Sequence, residues 1–359
     1  MIIGRMLSCA LRRVTAFLAC LALGGIVTTG VTAASGAGRA TRDTATAARS
    51  AGGDTATAAR TAGRATEASV PYRFGLADYE PQTFSDPRVA ELGVHLARDV
   101  VPWNVALNKR DLANVTAWLD AVKHAYHITP LITFQHADNF GPAPSPIAFL
   151  HAFERFRKLF PWVTEFVPWD EATHSSQPTA HHPWLAAEYY NVLAANCHGC
   201  EVTAPDVLDS DGNVEAWVAS FLERAHPYPK IWPFNPYGSV STDTPVPIER
   251  FLAATRGQVW FSEIGGVVWW RFRGKLTDHG EAFAARVATN IFQLARLSPR
   301  ITRIYYYHWR SPGSPNSKTG RKATWDAGLV RANGAARPAL YVVARELHRH
   351  IQGSIPKIF

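Results

Sequence analysis

From residue 71 onward, short apolar or aromatic runs alternate with longer stretches in which apolar residues recur every three or four positions. The short runs are Tyr72–Ala77, His95–Val101, Ile128–Phe134, Val163–Trp169, Glu201–Val207, Lys230–Pro236, Gln258–Ser262 and Ile301–His308. Each has the length and composition expected of a buried strand. The longer stretches predict helices. Between Asp111 and Lys123, for example, Leu112, Val115, Leu119 and Val122 fall on one face. Pro146–Leu159, Trp184–Ala195, Val214–Arg224, Pro247–Ala254, Ala282–Leu297 and Pro338–His350 repeat the pattern, the last with a proline suited to a first helical turn. Strand–helix alternation predicts a parallel sheet with right-handed crossovers. Eight such units in about 280 residues predict an α/β chain closed into a (β/α)₈ TIM barrel over residues 71–359. Gly75 and Gly93 stand alone, so no glycine-rich loop for a dinucleotide or phosphate is present.

The chain before residue 71 reads differently. Arg5, Arg12 and Arg13 precede the apolar run Val14–Val27, and Val31-Thr32-Ala33 supplies small residues for cleavage, so residues 1–33 predict a signal peptide and a secreted protein. The run is short for a spanning helix of about 20 residues, so no stable membrane span is expected after cleavage; the alternative is an anchor left uncleaved. Residues 34–70 are rich in Ala, Thr, Gly and Arg, contain the near-repeat Asp43–Arg49 and Asp54–Arg60, and carry no large apolar side chain to bury. They predict a flexible linker. The net charge of +8 is concentrated here, because residues 1–70 hold eight Arg against three acidic residues. No Lys/Arg run accompanies a nucleic-acid motif, so no nucleic-acid partner is expected. Of the four cysteines, Cys9 and Cys20 leave with the signal. In an exported protein Cys197-His198-Gly199-Cys200 reads as a local disulfide. Free thiols and a metal site are the alternatives, the latter with only His198 as a further nearby ligand.

Barrel chemistry sits at the C-terminal ends of the strands, and polar residues gather there in this chain. The second run holds Arg98-Asp99 and ends at Trp103-Asn104; the third leads into Gln135-His136; the fourth into Trp169-Asp170-Glu171, with His174 beyond. The fifth carries Asp206 and Asp209, the sixth ends at Asn235-Pro236-Tyr237-Gly238, the seventh at Ser262-Glu263-Ile264-Gly265-Gly266, and the eighth at Tyr307-His308-Trp309. Glu171 and Glu263 each follow a strongly apolar run on strands four and seven. Two carboxyls facing each other across a barrel mouth suit glycosidic cleavage, which needs one to protonate the leaving oxygen and another to attack carbon or activate water. Twelve Trp fit a sugar cleft or a Trp-rich core equally well.

The motifs resemble the superfamily of retaining glycoside hydrolases on (β/α)₈ barrels, the clan A type, and most of all its secreted actinobacterial members. Trp169-Asp170-Glu171-Ala172 stands where that superfamily has Trp-Asn-Glu-Pro, Ser262-Glu263-Ile264-Gly265 matches Thr/Ser-Glu-x-Gly, and Tyr305-Tyr306-Tyr307-His308-Trp309 echoes its aromatic eighth strand. The resemblance spans about residues 72–348 and implies hydrolysis of O-glycosidic bonds, with a lean toward β-linkages, in oligosaccharides, polysaccharides or glycosides. It implies Glu171 as acid/base, Glu263 as nucleophile, Tyr237 as the nucleophile's hydrogen-bond partner and Arg98 as the buried cation beneath it. It implies Trp309 as the floor of the reacting subsite and Asn104, His136, His174 and Trp103 as substrate contacts. No metal or cofactor is implied. With the carboxyls about 5 Å apart, the expected outcome is retention. Two positions depart from the pattern. Asp170 replaces an Asn that donates to the sugar 2-hydroxyl, and a carboxylate there accepts but does not donate; Asn235 stands where relatives often have His. The rival readings are a non-catalytic secreted carbohydrate-binding barrel, which Asp170 favours, and a metallohydrolase on the same fold. Asp326, in the Trp325–Val330 segment read as a small hairpin, is expected to be structural.

Overall fold

The computed structural model describes residues 71–352, apart from 126, 138–141, 210–211, 273–274 and 314–324. The signal peptide and linker read over residues 1–70 lie outside the described residues. Nine parallel strands form the central sheet: β1 Arg73–Ala77, β2 Leu96–Pro102, β3 Thr129–Gln135, β4 Glu165–Val167, β5 Glu201–Val202, β6 Val207–Leu208, β7 Ile231–Asn235, β8 Gln258–Ile264 and, later in the chain, β11 Ile301–Tyr306. Their order is β5-β4-β3-β2-β1-β11-β8-β7-β6. The two outermost strands are halves of a single expected strand, Glu201–Val207. Pro205 interrupts it, because proline has no N–H to give to a ladder. The intervening residues bond to both sides: Thr203 and Asp206 donate their N–H groups to Phe166 and Trp169, while Ala204 donates to Ile231. The ring of eight barrel strands therefore closes through residues 203–206, as the strand count predicts. In barrel order, β8 is strand seven and β11 strand eight.

Side chains of alternate residues fill the barrel. Leu96, Leu131, Val167, Ile231, Trp260 and Tyr305 form an apolar layer with Ala77. Below it Arg303 lies over the Trp260 ring at 3.7 Å and is held by Glu165. Two residues further along the strands, the period-2 rule brings Arg98, Thr133, Ser262 and Tyr307 to the upper rim. The larger apolar cluster lies between the sheet and the helices and includes Trp118, Phe149, Phe153, Tyr189, Phe221, Ile291 and Leu340. Helices Lys109–His124, Pro146–Leu159 and Val214–Leu222 begin at Asn108, Ser145 and Asn213, whose side chains accept from first-turn N–H groups. The other barrel helices include Pro183–Asn196, Val246–Ala254, Gly280–Ala295 and Pro338–Glu346. Cys197 and Cys200 are disulfide-bonded in the turn before β5.

A second, three-stranded sheet sits past strands seven and eight. In it β9 Trp269–Phe272 pairs antiparallel with β10 Lys275–Asp278 and with β12 Trp325–Asp326. Trp325-Asp326 thus pairs across to Trp269-Trp270, while the local turn at Asn333-Gly334 is closed by the Val330–Ala336 bridge. Asp326 has the structural part expected of it: it takes a bidentate ion pair from Arg337, at 2.8 and 2.7 Å, and a bond from Ser311.

Candidate active site

The rim of the barrel is organised around one guanidinium. Arg98, 1% exposed, donates from Nε to Thr133 Oγ1 at 3.0 Å, from Nη1 to Glu263 Oε2 at 2.5 Å, and from Nη2 to Asp170 Oδ1 at 2.7 Å and Asp206 Oδ2 at 2.6 Å. Burial works against its charge, but Asp206, Glu263 and Asp170 outweigh it and hold the guanidinium protonated. Asp206 also accepts from Ser262 Oγ at 2.9 Å, and Ser262 reaches Asn235 Oδ1 at 3.0 Å. This network fixes the residue immediately before Glu263.

Glu263 closes β8 and its carboxyl lies at the cavity wall. Tyr237 points its hydroxyl at Glu263 Oε1 from 3.4 Å, a long hydrogen bond. Tyr237 opens the short helix Tyr237–Thr242, whose first N–H groups, on Gly238 and Ser239, donate to Asp209 at 2.9 and 2.7 Å. Past Glu263 the chain must turn in almost no space. A Cβ on Gly265 would meet the Tyr307 carbonyl oxygen at 1.9 Å, and one on Gly266 the Ala284 carbonyl oxygen at 2.3 Å. The two glycines of the motif are therefore required by close backbone approach.

The segment after β4 sets two adjacent carboxyls in different places. Asp170 N–H is tied to Phe134 O and Ala172 N–H to Asp206 O. Glu171 between them takes the left-handed conformation, φ 39°. Asp170 stands in the cavity wall. Glu171 is 1% exposed and lies behind that wall, with its Oε1 buried and unpartnered.

The electrostatics follow from four buried carboxyls and one guanidinium. Burial, with added repulsion from Asp170, Glu263 and Asp206, raises the Glu171 carboxyl well above its ordinary value. Burial raises Glu263 to about 7 against the pull of Arg98, and Asp170 and Asp206 push in the same direction as burial. Burial likewise lifts Asp206 to about 7, and Asp78, at the end of β1, to about 7 although two backbone N–H groups bond it. Such groups bind a proton in the folded state that they release when unfolded. Their stabilising contribution is present below the ordinary carboxylate range and is lost as pH rises through about 7. Buried histidines such as His308, lowered to about 4 by burial, oppose this at lower pH, an effect that fades as pH rises past the ordinary histidine value of about 6.5. The melting temperature is therefore expected to fall between about pH 6.5 and 8.5; a flat or rising series of thermal melts over that range would show these carboxyls to be ionised at no cost.

The cavity itself measures about 530 Å³, including space open to solvent, and is lined by Ala77, Asp78, Tyr79, Arg98, Asp99 and Val100 from the first two strands. Gln135, Asp170, Glu263, Tyr307 and Trp325 complete it. Of the residues expected to act together, Arg98, Asp170 and Glu263 line the cavity, Tyr237 reaches Glu263 from outside the lining, and Glu171 is buried outside it. Several others do not reach the cavity. Trp309 is 0% exposed, donates from Nε1 to Asp86, and is covered by Arg88 at 5.6 Å, so it floors no subsite; Tyr307, two residues earlier and in step with the inward side of β11, takes that wall. His174 is fully buried with its Nδ1 against Ser176. Asn235 is fully buried behind Ser262, with its Nδ2 unpartnered. Trp103, Asn104 and His136 follow the ends of β2 and β3 but contribute nothing to the lining; Asn104 Oδ1 is buried, and burial lowers the His136 imidazole. The residues missed are Asp78, Tyr79 and Trp325. Asp78-Tyr79 directly follow the first strand, where the strand-end rule points. Trp325 arrives through the small sheet and carries no local signal. Among the described residues no group of three or more His, Cys, Asp or Glu is arranged to hold a metal ion, and no helix is long and apolar enough to cross a membrane.

Solved structures share this architecture. A GH5_18 protein from Streptomyces cattleya, in complex with GlcNAc, superposes with a TM-score of 0.52 at 15% identity, over 77% of this chain and 80% of its own. Xylanase 10B from Thermotoga petrophila, in complex with xylobiose, gives 0.52 at 12% identity over 78% and 94%. A GH39 β-xylosidase from Caulobacter crescentus gives 0.54 at 14% identity over 76% and 70%. The fold is the one these glycoside hydrolases share. No family model matches the sequence, and no curated protein matches it. The (β/α)₈ fold places the Glu171 segment after barrel strand four and Glu263 at the end of strand seven, the two positions on which the sequence motifs converge.

Proposed function

We propose that the chain is a retaining glycoside hydrolase, cutting an O-glycosidic bond, β-linked in preference, with Glu263 as nucleophile and Glu171 as acid/base. The observation that carries the reading is the division of labour between two carboxyls at the ends of barrel strands four and seven. Glu263 faces the cavity and is bound by Arg98, which favours its carboxylate, whereas burial and three neighbouring carboxyls keep a proton on Glu171. That is the pairing of nucleophile and acid that retaining glycosidic cleavage needs. Glu263 attacks the anomeric carbon while Glu171 gives its proton to the departing oxygen; water, deprotonated by Glu171, then displaces Glu263 from the glycosyl ester. Because Glu171 lies behind the wall, its side chain turns toward the cavity to make that transfer. Likeness to carbohydrate-active barrels supports the reading, and so does the C-terminal position of the cavity.

The test is a panel of aryl β-glycosides and β-glycans assayed with the wild type and with Glu171→Ala and Asp170→Ala. Rescue of Glu171→Ala by azide, with the β-glycosyl azide as product, assigns the acid/base. Rescue of Asp170→Ala instead would transfer that role to the carboxyl that lines the cavity. Binding of glycans with no product from any of them would leave a carbohydrate-binding barrel. The arginine-led apolar leader and small-residue site at residues 31–33 support export; a mature N-terminus that keeps residues 1–33 would contradict cleavage.

A further inference from the structure

Resting on the glycosidase reading, we propose that Asp209 is a positioning residue of the active site: its carboxyl sets the helical turn from which Tyr237 presents its hydroxyl to the nucleophile Glu263. Tyr237 opens a helix only six residues long, Tyr237–Thr242. The first N–H groups of a helix have no partner within it, and a helix this short has little cohesion of its own. Its N-cap is Pro236, whose side chain offers no acceptor, so the turn is not capped locally. The acceptor comes from another barrel strand. Asp209 Oδ1 accepts from Gly238 N–H at 2.9 Å, and Oδ2 accepts from Ser239 N–H and Ser239 Oγ, each at 2.7 Å. The fit is close, since a Cβ on Gly238 would stand 3.2 Å from Oδ1 and 3.3 Å from Oδ2. Further along the helix, Asn290 donates to Val240 O at 2.9 Å.

The clamp matters because the bond it serves is near its limit. Tyr237 Oη stands 3.4 Å from Glu263 Oε1, and a small further displacement would end that hydrogen bond. The phenol ring carries the hydroxyl well away from the backbone, so a modest tilt of the first turn is enlarged at the oxygen. The chain around Asp209 also holds the acid side of the site. Ala172 N–H donates to Asp206 O, and Leu208 N–H donates to Thr173 Oγ1 at 3.0 Å. Residues 206–209 therefore tie the turn that follows Glu171 to the turn that begins at Tyr237.

The experiment measures kcat/KM from pH 5 to 8 for full-length wild type, Asp209→Ala, Tyr237→Phe and the double variant, on the aryl β-glycoside that the wild type cleaves fastest. Loss of the Tyr237 bond disfavours the Glu263 carboxylate. Each single variant should therefore move the acid limb up by about half a pH unit and lower kcat/KM at pH 7 about tenfold. Loss of the Asp209 charge alone would move the limb down, because a negative neighbour is gone. Arg98, Asp170, Asp206, Glu171 and Tyr307 also act on Glu263 and are present in every variant. The double variant should match Tyr237→Phe to within about twofold, since Asp209 acts through that hydroxyl. Should Asp209→Ala fail to fold, Ser239→Ala removes one of the three bonds and leaves the carboxyl; it should move the limb the same way by less, and a limb left in place would count against the role. A limb that stays or moves down in Asp209→Ala, or losses that multiply in the double variant, overturn the positioning role while the glycosidase stands. No turnover of any β-glycoside or β-glycan by the wild type removes the glycosidase reading and this inference with it.

Discussion

Glu263→Gln is expected to lower kcat by at least about 10³-fold with little change in folding, because the amide keeps the shape of the side chain and loses the nucleophile. The substitution is nearly isosteric, and its carbonyl oxygen still accepts from Arg98 Nη1. The geometry around Ser262, Gly265 and Gly266 is set by backbone approach and by the Asp206–Ser262–Asn235 bonds, none of which needs the Glu263 charge. What is lost is the lone carboxylate able to form the glycosyl ester. In the wild type, the acid limb of kcat/KM should lie near pH 7, since burial raises Glu263 to about 7 and attack needs the ionised form. The limb belongs to the whole carboxyl cluster around Arg98 and will not divide cleanly among Glu263, Asp206 and Asp170. Steady-state kinetics of the two proteins from pH 5 to 8, with a far-UV spectrum as the folding control, checks both statements. Wild-type-like turnover by the variant would remove Glu263 from the mechanism.

Arg98→Met should be the most destabilising single change at the rim. It leaves Glu263, Asp170 and Asp206 together in a buried site without their shared cation, at a cost of about 3–5 kcal/mol, or roughly 10 °C in melting temperature for a domain of this size. The pH dependence separates this cause from lost packing. The three carboxyls answer the loss by taking up protons, so the deficit should be smaller at pH 5 than at pH 8, whereas a simple cavity would cost the same at both. Turnover should fall as well, because Glu263 becomes harder to ionise. Equal deficits at the two pH values would show that Arg98 acts by filling space.

The comparison of Trp309 with Tyr307 shows where reading by strand ends reaches its limit. Both residues close the eighth barrel strand, and both are large aromatics. Their difference is one of inward phase: Tyr305 is in the apolar layer of the barrel, so Tyr307, two residues on, comes to the cavity, whereas Trp309 turns away to Asp86 and Arg88. The same phase argument, started at Leu96, puts Arg98 in the cavity wall. The adjacent carboxyls Asp170 and Glu171 are a harder case. The strand-four motif marks the pair, but the exchange of places between them depends on a left-handed residue and on two backbone bonds to neighbouring strands.

The sequence by itself determined the eight-fold alternation, the closed barrel and the two strand ends at which Glu171 and Glu263 stand. These are properties of local periodicity, and hydrophobic burial enforces them wherever they occur along the chain. Only the tertiary structure decided that Asp78, Asp99, Asp170 and Glu263 share one cavity, that Asp206 and Asp170 divide the charge of Arg98 with Glu263, and that Trp309, His174 and Asn235 are buried away from it. The physical reason is that proton affinity, charge balance and access are set by groups on different strands, and closure of the barrel is what brings those groups within reach of one another.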